Sequence, residues 1–315
     1  MSHLSLPPPA PDQAFFTLSA LEAGKIHLPE RLYITDFDET IVRRCPTLSF
    51  LLRHSKTGAR TVFDLGLRKD LTWPPKTMEW VRVSKFVLEV PQDVADSLRQ
   101  GGIQPEEVDY VICASRLVFV SRKATKRDEC YAVSHIHFDH SGDPTPFTEA
   151  KFLLGGESEA LLKAGFPANP DSNFYQDTVP LERTEFLYPT STGWAPLGPF
   201  PHGLDYFGDG SLYLVDAPGH VPGHLNALVR TGPAEGDWIY LAGDTAHDVR
   251  LLDGVRQICV YHDGGSAHVD HVAAAEHIKR VRALRDDYGV KILLAHAYRW
   301  DEERKDTYLP NTFKS

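Results

Sequence analysis

Cysteine is scarce in this chain. Its four residues, Cys45, Cys113, Cys130 and Cys259, lie far apart, with no C-x-x-C pair among them. Such spacing gives no sign of a disulfide framework or a thiolate zinc site, and free thiols in a reducing compartment are expected. Positive charge is short as well. Lys and Arg number 33 against 43 Asp and Glu, a net charge of −10, whereas a general nucleic-acid binder needs a basic surface. The one basic run, Arg122-Lys123-Ala124-Thr125-Lys126-Arg127, reads as a solvated loop. No apolar stretch approaches the roughly 18 residues of a membrane span. The first residues have neither a basic start nor an apolar run, so no secretory signal is read and the cytoplasm is the expected location. What is not lacking is core material: 42% of the 315 residues are apolar, enough for a fully packed domain.

Histidine is clustered. His135-Ile136-His137-Phe138-Asp139-His140 places three imidazoles and a carboxylate in six positions, after an apolar, β-branched run that reads as a strand. Alternation along an extended segment puts His135 and His137 on one side, and a tight turn then brings Asp139 and His140 round to face them. Imidazole and carboxylate hold zinc and similar ions, and four of them this close can serve two ions. Three more ligand-type residues each follow an apolar strand-like run: His220 after 211–215, Asp244 after 238–243 and His296 after 290–295. One site drawing on residues 135 to 296 argues for one domain.

Elsewhere the organisation is coarse. Residues 1–14 are proline-rich and read as a loose N-terminal segment, followed by a single domain over 15–315. Runs at 48–52 and 61–66, joined by the Lys56-Thr57-Gly58 turn, suggest a hairpin. A helix is expected over 94–100, stopped by Gly101-Gly102, and a buried strand over 108–112. Residues 151–154 read as a strand, 158–163 as a helical turn, and 166–202 as a long loop suited to a substrate wall. Ala274, Ile278, Val281, Leu284 and Tyr288 recur at helical spacing with Gly289 as stop.

The order H-x-H-x-D-H, then H, D and H, with the turn Pro218-Gly219-His220-Val221-Pro222-Gly223-His224, resembles the metallo-β-lactamase superfamily and, within it, the N-acyl-homoserine lactonase-like hydrolases. The likeness runs from about Leu21 to His296. It implies an α/β fold, the four-layer αββα sandwich, and two divalent ions, zinc by preference. It assigns His135, His137 and His220 to one ion, Asp139, His140 and His296 to the other, and Asp244 to both. The implied activity is lactone opening, with acyl-homoserine lactones as candidate substrates and quorum quenching as the corresponding role, through attack by a metal-bridging hydroxide. Asp139 would pass a proton to the leaving oxygen. The partner is a small molecule rather than nucleic acid or membrane, and a homodimer is possible.

Departures matter too. His247 stands where lactonases of this family commonly carry a tyrosine for the developing oxyanion, and an imidazole could do that work. Ala297 replaces a frequent aspartate. About twenty residues, 113–132, interrupt what would be one strand running into the motif, as a surface insertion or as a translated non-coding segment. His224 is expected to support a ligand or the turn itself rather than to ligate, and Asp64 to take a ligand's spare N–H. His262, His268, His271 and His277 are read as surface histidines of a helix, and Asp248 as a solvated acid or a partner of His247. Glyoxalase II-like thioester hydrolysis uses the same ligands and is the alternative, disfavoured because only 19 residues follow His296. The acidic balance disfavours a tRNA nuclease, and His137 disfavours a flavodiiron-type redox protein.

Overall fold

The computed structural model describes residues 5–113, 137–262 and 264–313. His135 and nearly all of the 113–132 interruption lie outside the described residues.

Two six-stranded sheets carry the chain. The first takes β1 (Phe16–Leu21), β4 (Ser49–His54), β5 (Arg60–Phe63), β7 (Tyr110–Cys113), β8 (Lys151–Gly155) and β9 (Thr184–Leu187), adjacent in that order. Its first three strands are antiparallel and the rest are parallel. The second runs β10 (Trp194–Leu197), β11 (Phe200–Asp205), β12 (Leu212–Asp216), β13 (Leu225–Arg230), β14 (Trp238–Leu241) and β15 (Lys291–Leu293), antiparallel except for the last pair. A small third sheet joins β2 (Lys25–Pro29) to β3 (Val42–Pro46) and β6 (Leu88–Glu89).

Side-chain alternation explains why both sheets are covered twice. Phe16, Leu18 and Ala20 of β1 meet Leu212 and Leu214 of β12 in the core between the sheets. The opposite face of the first sheet, with Val62, Val111 and Phe152, packs on α2 (Val94–Gln100) and α3 (Ser158–Lys163). The opposite face of the second, with Val215, Leu228 and Tyr240, packs on Ile278, Val281 and Leu284 of α5 (His271–Tyr288). The result is the αββα sandwich, in which neither sheet leaves an apolar face to water. Three short pieces complete it: α1 (Pro75–Ser84), α4 (Val249–Leu252) and α6 (Trp300–Glu303).

Local chemistry fixes the helix ends. Asp93 accepts the Asp96 amide to start α2, and Asp270 accepts from Val272 and Ala273 to start α5, which stops at left-handed Gly289. The expected loop over 166–202 proves partly structured. It holds β9 and β10 and leads into β11, so it supplies an edge strand to each sheet. These strands are four to six residues long, and β10 and β11 carry Pro196, Pro201 and Gly203, which blurs their alternation in sequence.

Candidate metal centre

Strand ends converge at one rim of the sandwich. Asp64 directly follows β5, His220 lies in the turn after β12, Asp244 lies three residues beyond β14, and His296 three beyond β15. The turn containing His137, Asp139 and His140 is stitched to the β5 end by the Leu65 amide on the His140 carbonyl, 2.9 Å. The Ala295 amide on the Gly243 carbonyl, 3.1 Å, holds the last two strand ends side by side.

Asp244 sits at the centre. Its Oδ1 lies 3.3 Å from His140 Nε2 and 3.3 Å from His296 Nε2, while Oδ2 lies 3.4 Å from His220 Nε2 and 3.9 Å from His137 Nδ1. His296 Nε2 is also 3.5 Å from Asp139 Oδ2. Two atoms bound to one tetrahedral zinc at about 2.0–2.1 Å stand about 3.3 Å apart, which most of these separations match. Among the described donors, His137 with His220 and Asp139 with His140 and His296 form two sets that one carboxylate, Asp244, faces, and His247 and His268 close a third cluster on His220. Asp139 Oδ1 is buried with no hydrogen-bond partner among the described residues, a cost that a bound cation would remove. The donor set fits two divalent cations.

Each set has outer support. His140 Nδ1 is 2.9 Å from Asp64 Oδ2, and His296 Nδ1 is 3.0 Å from the Pro46 carbonyl. His220 Nδ1 is 3.1 Å from His268 Nδ1. Asp64 adopts a left-handed conformation at φ 62 to reach its histidine, a strain that aspartate tolerates better than most residues. Burial opposes charge on His140, yet Asp244 and Asp64 outweigh it and hold the imidazole well above its ordinary range. His137, whose burial is less well compensated, lies well below it.

His224 bonds the Ala217 carbonyl at 3.2 Å and is pushed by burial down to about 4. It secures the turn, as expected of a structural histidine. His247 directs Nε2 at Asp244 Oδ2, 3.1 Å away, with its ring between Tyr33 and His296. Its Nδ1 is buried without a partner among the described residues. Ligand histidines ordinarily pass their second nitrogen to an acceptor, and His247 differs from His140 and His296 in this.

Two expectations need correction. His268 and His277 are buried rather than on a helix surface. His268 precedes α5 and meets His220, while His277 bonds Asn226 Oδ1 at 3.0 Å. Asp248 is buried as well. It caps α4 and pairs with Arg250 at 2.8 Å, and Arg250 in turn reaches buried Glu30. His262 is exposed and His271 half-buried.

Beside the centre opens a cavity of about 750 Å³, bordered by His137, Asp139, Asp244, His247 and His296. Its walls are mainly apolar: Ile26 and Leu28 of β2, Tyr33 and Phe37, Trp80 of α1, Phe86 and Phe138. Trp80 meets Phe86 edge-on at 4.6 Å and Phe138 at 5.8 Å. Sequence reasoning missed α1, the aromatic wall and His268. A proline pair opening a weakly amphipathic helix was the available signal for α1.

No family model matches the chain. Over 189 residues it is 33% identical to Gamma-lactamase MBL2 of Gibberella moniliformis, covering 59% of this chain and 70% of that protein. Over 294 residues it is 27% identical to cytochrome P450 monooxygenase mpaDE' of Penicillium brevicompactum, covering 85% of this chain but 31% of the relative. The chain thus spans about a third of the length of that relative. A quorum-quenching N-acyl homoserine lactone hydrolase shares the fold at a TM-score of 0.63 and 14% identity, over 99% of this chain and 100% of that one.

Proposed function

We propose that this chain, which belongs to the metallo-β-lactamase superfamily, is a two-metal hydrolase that opens cyclic acyl compounds, lactones first among them. Asp244 carries the reading, because each of its carboxylate oxygens faces a separate set of ligand-type side chains. Of the relatives, one is named for a lactam and one for a lactone, both cyclic acyl groups. His137 and His220 would hold one ion, joined by His135 from the sequence pattern, and Asp139, His140 and His296 the other. Zinc suits this imidazole and carboxylate set. Divalent cations bound there supply carbonyl polarisation and a water acidic enough to attack near neutral pH.

The remaining work falls to the chain. Asp139 borders the cavity and is placed to pass a proton to the leaving atom. His247 steadies the shared carboxylate through Nε2. Its ring also borders the cavity, where it can face charge developing on the acyl oxygen. The apolar cavity excludes water and favours a neutral, apolar substrate over a thioester of a charged thiol.

Metal-reconstituted protein should be offered lactones, cyclic amides, thioesters and aryl esters. Ring opening of lactones or cyclic amides is the expected result. Rapid thioester cleavage without any ring opening would replace this reading with a thioester hydrolase.

A further inference from the structure

We propose that His268 is the positioning residue for His220, and that its capacity to give as well as accept a hydrogen bond makes the first metal position the exchangeable one of the two. The proposal rests on the dinuclear reading above.

The outer partners of the three supported histidines differ in kind. Asp64 and the Pro46 carbonyl, behind His140 and His296, can only accept. They therefore fix a proton of each ring on Nδ1 and direct Nε2 at Asp244 Oδ1, 3.3 Å away in both cases, so Nε2 is the ligating atom of each. The Nδ1 proton has no second site to move to.

Behind His220 stands another imidazole, and the two Nδ1 atoms, 3.1 Å apart, can share only one proton. Two arrangements satisfy that contact. In one, His220 donates to His268 and its own Nε2 is a bare lone pair ready to ligate. In the other, His268 donates, and the His220 proton sits on Nε2, directed at Asp244 Oδ2 3.4 Å away. Both leave the rings neutral and the pair hydrogen-bonded. His220 can thus exchange its ion for a proton on Nε2 and stay neutral, whereas the same exchange behind an acceptor-only partner charges the ring.

Two further observations favour a weaker first position. In the ligating arrangement, His268 carries its proton on Nε2, which is buried and has no partner among the described residues, so ion binding leaves a donor unmet. Among the described residues, the first set holds no carboxylate besides the shared Asp244, whereas the second has Asp139 as a donor and Asp64 behind it. The contact is also protected, because His220 and His268 are each about 1% exposed and water cannot readily take the partner's place.

Chelator competition on cobalt- or zinc-loaded protein, with stopped-flow release, separates the two ions. Wild type should release one ion readily and hold the other. In H268L the first ion should bind about 10- to 100-fold more weakly with the second unchanged. H268N can present either a donor or an acceptor where Nδ1 stood and should stay within a few-fold of wild type. H268D, which only accepts, should release the first ion more slowly. Asp64→Asn should weaken the other ion, which shows that the two readouts are distinct. Should H268L fail to fold, the contrast between H268N and H268D decides. Equal affinities at both positions in wild type, or first-ion release indifferent to residue 268, would overturn the inference alone. Three ions in wild type falling to two in H268L would make His268 a ligand and overturn it as well. A wild-type chain that takes up no ion would remove the dinuclear reading itself.

Discussion

A carboxylate between two sets of imidazoles cannot be lost from one set alone. Asp244→Ala should therefore lower the content of both ions, and elemental analysis of protein purified without chelator should show it. Loss of a single ion would contradict the sharing. His247 makes a different prediction. Oxyanion stabilisation of this kind contributes about 3 kcal/mol, on the order of 10²-fold in rate. His247→Ala should lower kcat for lactones by about that factor with the ions retained, and a silent variant beside a severe Asp139→Ala would make His247 a bystander. Six of the seven candidate metal ligands read from sequence are brought together here, and the seventh, His135, lies outside the described residues. They were legible because ligand chemistry is local: donor type, tight spacing and an apolar run before each. His268 was not, since its role exists only once the α5 lead-in meets the His220 turn. Asp248 was misread because its setting depends on Arg250, which bridges it to buried Glu30, 218 positions earlier in the chain.

That meeting of α5 and the His220 turn is an element-scale fact. The amides of Val269 and Asp270 bond the carbonyls of His220 and Gly219, both at 3.0 Å. A Cβ on Gly219, at φ 114, would stand 2.0 Å from the Ala274 nitrogen, so only glycine permits so close a docking. Beneath the Asp244 turn, Asn226 of β13 accepts from Tyr240, Thr245 and His277 at 2.8, 2.8 and 3.0 Å and donates to the Ala242 carbonyl. Asn226→Ala would strand several buried donors at about 1–3 kcal/mol each. Chemical denaturation should register a loss of at least that size, and one below about 0.5 kcal/mol would show that the network relaxes. Helices with acidic caps and glycine stops, α2 and α5, were readable to within a few residues. The strands of 184–205 were not, because an edge strand needs a neighbour more than a pattern of its own.

For the whole molecule, the ligands come from the ends of strands in both sheets, so bound ions tie one half of the sandwich to the other. An ion present at 100 times its dissociation constant adds about 2.7 kcal/mol to stability, which for a chain of this size corresponds to a Tm shift on the order of 5 °C. Chelator-treated protein should melt lower by about that much per ion and recover when zinc is returned. An unchanged melting curve on verified ion removal would show that the sandwich does not depend on its centre. The αββα arrangement was legible through the resemblance carried by the ligand pattern, and the single domain through a ligand set spread over the sequence. The cavity was not, since its walls come from β2, α1 and the 30–41 and 259–267 segments, which are remote from one another in sequence. The placement of His296 beyond β15 also orders events during synthesis. A growing chain can display His137, Asp139 and His140 while the 156 residues that end in His296 remain to be added, yet it cannot close the second set until β15 has left the ribosome and joined β14. On the two-metal reading, capture at the second set would follow sheet completion, and a chain stalled before residue 296 would expose a partial chelator in place of a finished centre.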